Sequence, residues 1–192
     1  MTTAAVVLAA GRGSRLQTEL AKPLLEYRGR ALVAWALDAA LGSGCAPVLL
    51  VVGHEADAVA ARAPEGVTVV PSPDWADGIS QSVRAAIDML VGDAAVTAVC
   101  IGLADQPRIG VDAYRRLIAA GEEGAEIAVA TYGGVRQNPV LLARSVWDEA
   151  RSLTGDEGAR RLMRTRAVVE VDCTGTGDPA DVDTLDDLRS LG

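Results

Sequence analysis

The chain has 192 residues, of which 49% are hydrophobic, and a formal net charge of -8, which fits one compact domain covering residues 1–192. This acidic balance, without a basic run, argues against nucleic acid as a partner, because contacts to a phosphate backbone need clustered cations. No apolar run approaches the roughly 20 residues of a membrane span, and the three cysteines are widely spaced, without a CxxC pair. We therefore expect a cytoplasmic protein that contacts neither membranes nor nucleic acid.

Short apolar runs rich in β-forming residues alternate along the chain with amphipathic segments of helical length. The predicted strands are Ala5–Leu8, Val48–Val52, Val67–Val70, Val96–Leu103, Ile127–Thr131 and Val168–Val171. The predicted helices are Ala31–Leu41, Asp57–Arg62, Ser80–Leu90, Asp112–Ala120, Ser145–Arg151, Gly158–Arg164 and Thr184–Leu191. Runs that are apolar on both faces suit a buried, mostly parallel sheet, so we predict a doubly wound, three-layer α/β domain.

The first predicted strand leads into a loop of small residues, with the sequence LAAGRGSRL over Leu8–Leu16. Backbone N–H groups exposed in such a loop can form an anion-binding nest. Arg15, and then Lys22 beside Pro23, add side-chain cations that can pair with phosphate oxygens. This combination predicts a site for a nucleoside triphosphate at the carboxyl end of the first strand, where ligands bind in such sheets.

Two better-known phosphate motifs do not match this loop. A dinucleotide fingerprint needs a third glycine in GxGxxG, and Leu16 stands at that position. The chain also lacks the GxxxxGK[ST] pattern of a P-loop. A different kind of nucleotide site is therefore expected.

At these residues the chain resembles the nucleotidyltransferases with a molybdenum-cofactor-type NTP transferase domain, most closely the molybdenum cofactor cytidylyltransferase branch. The resemblance implies a fold like that of the nucleotide-diphospho-sugar transferases, and it runs almost end to end. The segments that carry it are Leu8–Val33, Asp77–Arg84, Gly102–Pro107, Arg136–Val140, Gly155–Arg160 and Asp181–Thr184.

Acidic residues at the crevice suggest a magnesium site. Asp105 follows the apolar strand that ends at Leu103, and Mg²⁺ prefers one or two carboxylates together with phosphate oxygens and water. A second carboxylate could come from Asp181 or Asp183, and the resemblance implies the same pairing. The alternatives are that Asp105 caps the helix near Asp112, and that the acids before the last helix are ordinary helix caps.

Ser80 and Ser82 begin a predicted helix, where they could contact a nucleobase or ribose or simply cap the helix. The resemblance implies base recognition around Leu8–Gly11, Pro71–Ser72 and Gly78–Ser82. Arg15, Lys22 and Asp105 are the predicted catalytic residues. The full predicted nucleotide-binding set is Leu8, Ala9, Ala10, Gly11, Gly13, Ser14, Arg15, Lys22, Pro71, Ser72, Gly78, Ser80, Ser82 and Asp105.

The resemblance places the acceptor of the transferred group at two further segments. An anionic pterin phosphate would suit Arg160 or Arg136, although either could be a solvated arginine. Many relatives carry a glycine where Gln137 stands. His54 is interpreted as a loop or capping residue. The predicted acceptor-binding residues are Gln137, Asn138, Pro139, Asp156 and Arg160.

These motifs favour Mg²⁺-dependent transfer of an NMP unit, and the resemblance implies CTP as the favoured donor and a molybdopterin-type phosphate as the acceptor. No protein nucleophile is needed, because positioning and charge neutralisation lower the barrier to phosphoryl-type transfer. The alternatives are transfer to another phosphorylated small molecule, an NAD(P)H-dependent oxidoreductase of the same branch, and a non-catalytic nucleotide-binding partner of a molybdoenzyme or its chaperone.

Overall fold

A computed structural model describes residues 2–13 and 20–191, apart from the side chain of Glu157. The predicted site residues Ser14 and Arg15 lie outside the described residues. Within the described ranges, no helix is both long enough and apolar enough to cross a membrane.

The described elements agree closely with the predicted order of strands and helices. The strands are β1 (Thr2–Ala9), β2 (Glu26–Tyr27), β3 (Arg30–Ala31), β4 (Val48–Val52), β5 (Val67–Pro71), β6 (Val96–Leu103), β7 (Ile127–Tyr132), β8 (Val135–Ala143) and β9 (Val169–Asp172). The α-helices are α1 (Leu32–Gly42), α2 (Ala56–Ala60), α3 (Ile79–Leu90), α4 (Val111–Glu122), α5 (Trp147–Arg151), α6 (Leu162–Thr165) and α7 (Leu185–Ser190). Short 3-10 helices cover Lys22–Leu24, Trp75–Asp77, Arg144–Val146 and Gly155–Arg160.

Seven strands form one sheet in the order β5-β4-β1-β6-β8-β7-β9, while β2 and β3 form a separate antiparallel pair. All neighbours in the large sheet are parallel except β8, which runs antiparallel to both β6 and β7. The chain winds outward from β1 to β5 and then returns to the other side of β1 at β6. The predicted doubly wound α/β fold is confirmed, and its topological switch point lies between β1 and β6.

The alternation of side chains along each strand builds a core on both faces of the sheet. In β1, Ala5 and Val7 join a cluster with α1 and α4, whereas Ala4 and Val6 join a second cluster with α3 and α5. All four residues have no exposed surface, as expected for a strand covered by helices on both sides. The two layers of helices hold the carboxyl ends of β1 and β6 in place.

The short strands β2 and β3 were not predicted, and two further differences lie closer to the site. Strand β8 was not predicted, because only its second half is continuously apolar and Pro139 interrupts the pattern. The helix predicted over Gly158–Arg164 is instead a 3-10 segment followed by the short helix α6. The physical reason is Gly158, whose φ of 50° and ψ of -142° are not helical.

The segment before α7 runs alongside the segment that follows β6. The Val182 amide donates to the Asp105 carbonyl at 2.9 Å, and the Gln106 side-chain amide donates to the Pro179 carbonyl at 2.9 Å. An isolated antiparallel bridge joins Ile109 to Gly177. This contact brings the end of the described chain back to the carboxyl end of β6.

Gly110 allows this close approach, since a Cβ built at this position would lie 2.1 Å from the Thr176 carbonyl oxygen. We expect Gly110→Ala to lower the free energy of unfolding by about 1–3 kcal/mol, because a rigid backbone atom would have to move. Urea denaturation measures the change. Gly92→Ala is the matched control, because no atom lies within 4 Å of a Cβ built there. Equal stability of the two variants would show that the two segments are not closely packed.

Candidate functional site

A cleft of about 360 Å³ opens at the switch point, beyond the carboxyl ends of β1 and β6. Trp75, Ile79 and Leu103 are among the apolar side chains of its wall, and its polar side chains are Arg12, Lys22, Ser82, Asp105 and Asp156. The predicted residues that line the cleft are Leu8, Ala9, Ala10, Gly11, Gly13, Lys22, Gly78, Ser82, Asp105 and Asp156. These residues, predicted from the sequence, therefore line one cavity, which lies where the sheet topology predicts a ligand site.

Lys22 is one of two described cations that line this cleft, the other being Arg12. It begins the 3-10 helix Lys22–Leu24, in which Pro23 occupies one of the first two positions. Its Nζ lies 2.5 Å from Asp105 Oδ2 and 2.7 Å from Asp183 Oδ1. The Lys22 side chain is only 12% exposed and that of Asp105 23%, so water screens this ion pair less than the pair with Asp183, whose side chain is 42% exposed.

The surroundings of Lys22 keep it positively charged. Burial by itself lowers the pKa of the amine, but the charges and hydrogen bonds of Asp105 and Asp183 outweigh burial, and the pKa is raised above 10.5. Because the folded-state pKa exceeds the unfolded value, the stability linked to the proton of Lys22 is complete from neutral pH up to about 10.5. On the alkaline side it is lost as the pH rises through the folded-state pKa.

Asp105 is held by backbone contacts on both sides. Ala104 donates its amide to the Leu8 carbonyl at 3.0 Å, and the Asp105 carbonyl accepts from Val182. Its Oδ2 pairs with Lys22, whereas its Oδ1 is buried and has no hydrogen-bond partner among the described residues. Helix α4 takes Gly110 as its N-cap, so Asp105 does not cap that helix.

Asp183 reaches Lys22 because another residue caps the last helix. Thr184 is the N-cap of α7 and forms a capping box with Asp187: the Asp187 amide donates to the Thr184 hydroxyl, and the Thr184 amide donates to the Asp187 carboxylate. The side chain of Asp183 is therefore not needed for capping. This arrangement favours the site interpretation of Asp183 over the helix-cap alternative.

Asp181 lies near this pair of acids. Burial raises the pKa of its carboxyl, and the negative charge of Asp105 raises it further, whereas Lys22 opposes these effects. Within the described ranges, no three His, Cys, Asp or Glu side chains are grouped closely enough to hold a metal ion by themselves. Any metal would thus depend on one or two carboxylates and on oxygens that a ligand supplies.

A second cleft, of about 460 Å³, adjoins the first, and Ile79, Leu103 and Asp156 border both. Four of the five residues predicted to bind an acceptor line it: Gln137, Asn138, Asp156 and Arg160. Pro139 is not part of this lining. Arg136, which the sequence suggested as an alternative to Arg160 for the acceptor phosphate, also lines the cleft. Sequence analysis did not name Arg164, which lines it together with the apolar residues Val129, Val140 and Met163.

A break in strand pairing places Asn138 at this cleft. Val129 pairs with Val140, whereas the next residue, Ala130, pairs with Gln137, so Asn138 and Pro139 have no partner in β7. Such a bulge redirects side chains that would otherwise alternate regularly across the sheet.

The structure does not bring all of the predicted nucleotide-binding residues together. Ser80 is fully buried, and its hydroxyl has no hydrogen-bond partner among the described residues. Pro71 and Ser72 line a separate groove with Gln81 and Arg84. Ser82 alone of the two helix serines lines the central cleft.

Sequence analysis missed one wall of the central cleft. Trp75 lies against Gly53, where an added Cβ would come within 2.5 Å of the indole, and its ring centroid is 5.4 Å from that of His54. Asp156 joins the same wall to the second cleft by accepting a hydrogen bond from the Ile79 amide at 3.3 Å. The sequence signal that could have indicated this wall is Trp75, three residues before Gly78 at the start of α3.

Comparison with known proteins identifies relatives across most of the chain. A family model for the MobA-like NTP transferase domain matches residues 5–171. Nicotine blue oxidoreductase of Paenarthrobacter nicotinovorans is 34% identical, and the alignment covers 97% of this chain and 94% of that protein. The bifunctional protein GlmU of Pelobacter propionicus is 35% identical over 77% of this chain, but over only 32% of its own length, so this chain corresponds to about a third of GlmU.

The fold also matches solved structures. Rv0371c of Mycobacterium tuberculosis H37Rv, in a crystal structure of its complex with manganese, is 33% identical to this chain with a TM-score of 0.84. The match covers 100% of this chain and 98% of Rv0371c.

Gly13 determines where Lys22 can lie. Its φ is 64°, and a Cβ built on it would approach the Lys22 Cβ to 2.7 Å. We expect Gly13→Ala to lower the free energy of unfolding by about 1–3 kcal/mol, because it combines a left-handed backbone with a steric clash. Guanidinium denaturation measures this loss. Gly11→Ala is the control, since nothing lies within 4 Å of its added Cβ. If Gly13→Ala were as stable as Gly11→Ala, the packing of Gly13 against Lys22 would be refuted.

Proposed function

Since this chain belongs to the MobA-like NTP transferase domain family, we propose that it transfers the NMP unit of a nucleoside triphosphate to a phosphorylated small molecule and releases pyrophosphate. CTP is the proposed donor, and a molybdopterin-type pterin phosphate is the proposed acceptor. The single observation that carries this proposal is the position of the Lys22 ammonium, buried beside Asp105 and Asp183 at the switch point of the sheet. A cation and two acids at this place suit a polyphosphate and its counterion.

The proposed binding mode follows from the lining of the central cleft. The triphosphate lies along the loop that starts at Ala10, where backbone N–H groups and Lys22 can neutralise its charge. Arg15 is proposed to add a second cation from the loop. The base and ribose then extend toward Ser82 and the indole of Trp75, which provides a flat apolar surface in the same cavity.

The acceptor is proposed to occupy the second cleft. Its three arginines suit an anionic molecule, and its apolar floor of Val129, Val140 and Met163 suits a ring system. Because Ile79, Leu103 and Asp156 border both clefts, an acceptor phosphate there lies next to a triphosphate in the first. A phosphate oxygen of the acceptor attacks the α-phosphorus, the bond to the bridging oxygen breaks, and pyrophosphate leaves with that electron pair.

This reaction needs no protein nucleophile. The chain's own residues bind and orient the two anions and stabilise the charge that develops on the leaving group. Lys22 is suited to the last role because its raised pKa keeps it cationic throughout the neutral range.

The acids fit a divalent cation. The buried Asp105 Oδ1 has no hydrogen-bond partner among the described residues, and hard carboxylate oxygens are what Mg²⁺ prefers. Asp105 and Asp183 would hold the ion, with Asp181 close by. When bound, Mg²⁺ would neutralise phosphate charge. The manganese complex of Rv0371c supports a divalent ion in a protein of this kind.

The proposed setting is the cytoplasm, where the three buried, unpaired cysteines would remain reduced. A molybdoenzyme or its chaperone is the proposed recipient of the nucleotidylated product.

One comparison favours a second candidate function. Nicotine blue oxidoreductase aligns over nearly the whole chain, so an NAD(P)H-dependent reduction in the same cleft is the alternative. The two candidates differ in their products. Transfer releases pyrophosphate in proportion to the NTP consumed. Reduction oxidises the reduced nicotinamide, so its absorbance falls, and no pyrophosphate is released.

The decisive assay incubates the protein with CTP, GTP, ATP or UTP, Mg²⁺ and a pterin phosphate acceptor, and follows pyrophosphate.

We expect Asp105→Asn to lower kcat by about a hundredfold or more, because it removes a charge that acts at the reacting phosphates. Asp148→Asn is the control, since the Asp148 side chain is 97% exposed on α5. Normal pyrophosphate release by folded Asp105→Asn would refute the assignment of Asp105. Absence of release from the unaltered protein with every NTP would refute the transferase proposal.

Arg160 tests the acceptor side separately. We expect Arg160→Ala to raise the KM for the acceptor about tenfold, because it removes one charge-assisted contact to an anion, while the affinity for NTP stays the same. Initial rates at varied acceptor concentration provide the KM, and a separate titration provides the NTP affinity. Arg189→Ala, on α7 and 76% exposed, is the control. An equal loss of NTP affinity in Arg160→Ala would contradict the division into two clefts.

A further inference from the structure

The turn after β4 contacts both ends of the phosphate loop. The His54 amide donates to the carbonyl of Ala10 at 2.9 Å, at the start of the loop. The Glu55 carboxylate accepts from the amide of Ala21 at 3.0 Å, at the end of the loop. Two consecutive residues therefore fix the two points between which the chain leaves β1 and returns to Lys22.

The contact made by Glu55 has a direct effect on Lys22. Ala21 is the N-cap of the 3-10 helix Lys22–Leu24, is 1% exposed, and has no side chain that could take part in capping. In a capping box, an acidic side chain within the helix accepts from the N-cap amide. Here Glu55 supplies that acceptor from another part of the chain.

We propose that Glu55 is a positioning residue of the nucleotide site: by holding the Ala21 amide, its carboxylate sets the place from which Lys22 reaches Asp105 and the triphosphate. This inference rests on the proposed function for its effect on nucleotide binding. The backbone at Glu55 is left-handed, with a φ of 50°, where the chain passes from β4 into α2.

The same turn contacts Trp75, whose fluorescence can be measured. Gly53 and His54 both lie against Trp75, which lines the nucleotide cleft. The fluorescence of Trp75 can therefore report CTP binding, provided that Trp35 and Trp147 are replaced by Phe in every protein compared.

The test compares Glu55→Ala, Glu55→Gln and Glu55→Gly with the unaltered protein. Glu55→Gln keeps an oxygen acceptor at the same reach, whereas Glu55→Gly removes the acceptor and relieves the positive φ. Glu65→Ala is the matched control, because it removes an exposed acid from the turn before β5. Three quantities are measured: hydrogen exchange of the Ala21 amide, the NMR signal of the Lys22 ammonium, and the Kd for CTP with Mg²⁺.

We expect Glu55→Ala and Glu55→Gly to speed exchange of the Ala21 amide and raise the Kd for CTP, each by about tenfold, as for loss of one hydrogen bond to a charged group. The Lys22 signal shifts in both variants. In Glu55→Gln the Ala21 exchange rate, the Lys22 signal and the Kd for CTP stay close to those of the unaltered protein. Glu65→Ala changes none of the three. A similar effect of Ala and Gly shows that the carboxylate is responsible, and not the backbone conformation.

Unchanged Lys22 and Ala21 signals in Glu55→Ala would overturn the inference, as would an unchanged Kd in a protein that binds CTP. A Glu55→Gly variant that behaves like the unaltered protein would also overturn it, since the backbone would then set the loop. If the unaltered protein binds no triphosphate, the proposed function fails. The two NMR measurements then still decide whether Glu55 positions Lys22.

Discussion

The site depends on one ammonium group shared by two carboxylates. Lys22 comes from the loop after β1, Asp105 from the end of β6 and Asp183 from the segment before α7, so a single cation joins three distant parts of the chain. Without Lys22, two partly buried acids would face each other without a compensating charge, which is unfavourable in a poorly solvated cleft. A triphosphate with its divalent ion, as proposed above, would bring a cation to these acids and anions to Lys22.

The sheet provides the frame for this charge arrangement. Strands β1 and β6 are adjacent and parallel, and their carboxyl ends face the same side, with the chain diverging on either side of them. The third component arrives differently, through backbone pairing of residues 176–182 with the segment after β6. A small apolar cluster around Leu25, Tyr27 and Leu191 holds α7 against the β2–β3 pair, and thereby holds Asp183 near Lys22. Packing remote from the cleft thus determines its electrostatics.

Much of this arrangement could be predicted from short-range patterns. The loop after β1, Lys22 beside Pro23, and Asp105 after a buried strand are each visible within a few residues. The pairing of Lys22 with Asp183 spans 161 positions and depends on the capping of α7 by Thr184, so local spacing left a choice between Asp181 and Asp183. The roles of Trp75 and the turn after β4 arise only from tertiary packing. Ser14 and Arg15 remain predictions, because they lie outside the described residues.

The reversed direction of β8 has an evolutionary consequence. Because β8 is antiparallel to β6, it contributes to the second cleft through its first residues, around Gln137 and Asn138, and these follow a tight hairpin from β7. Insertions or substitutions in that hairpin can reshape the second cleft while leaving β1, β6 and the lysine untouched. A protein with this fold could therefore acquire a different second cleft on one side of the sheet and keep the site around Lys22 on the other.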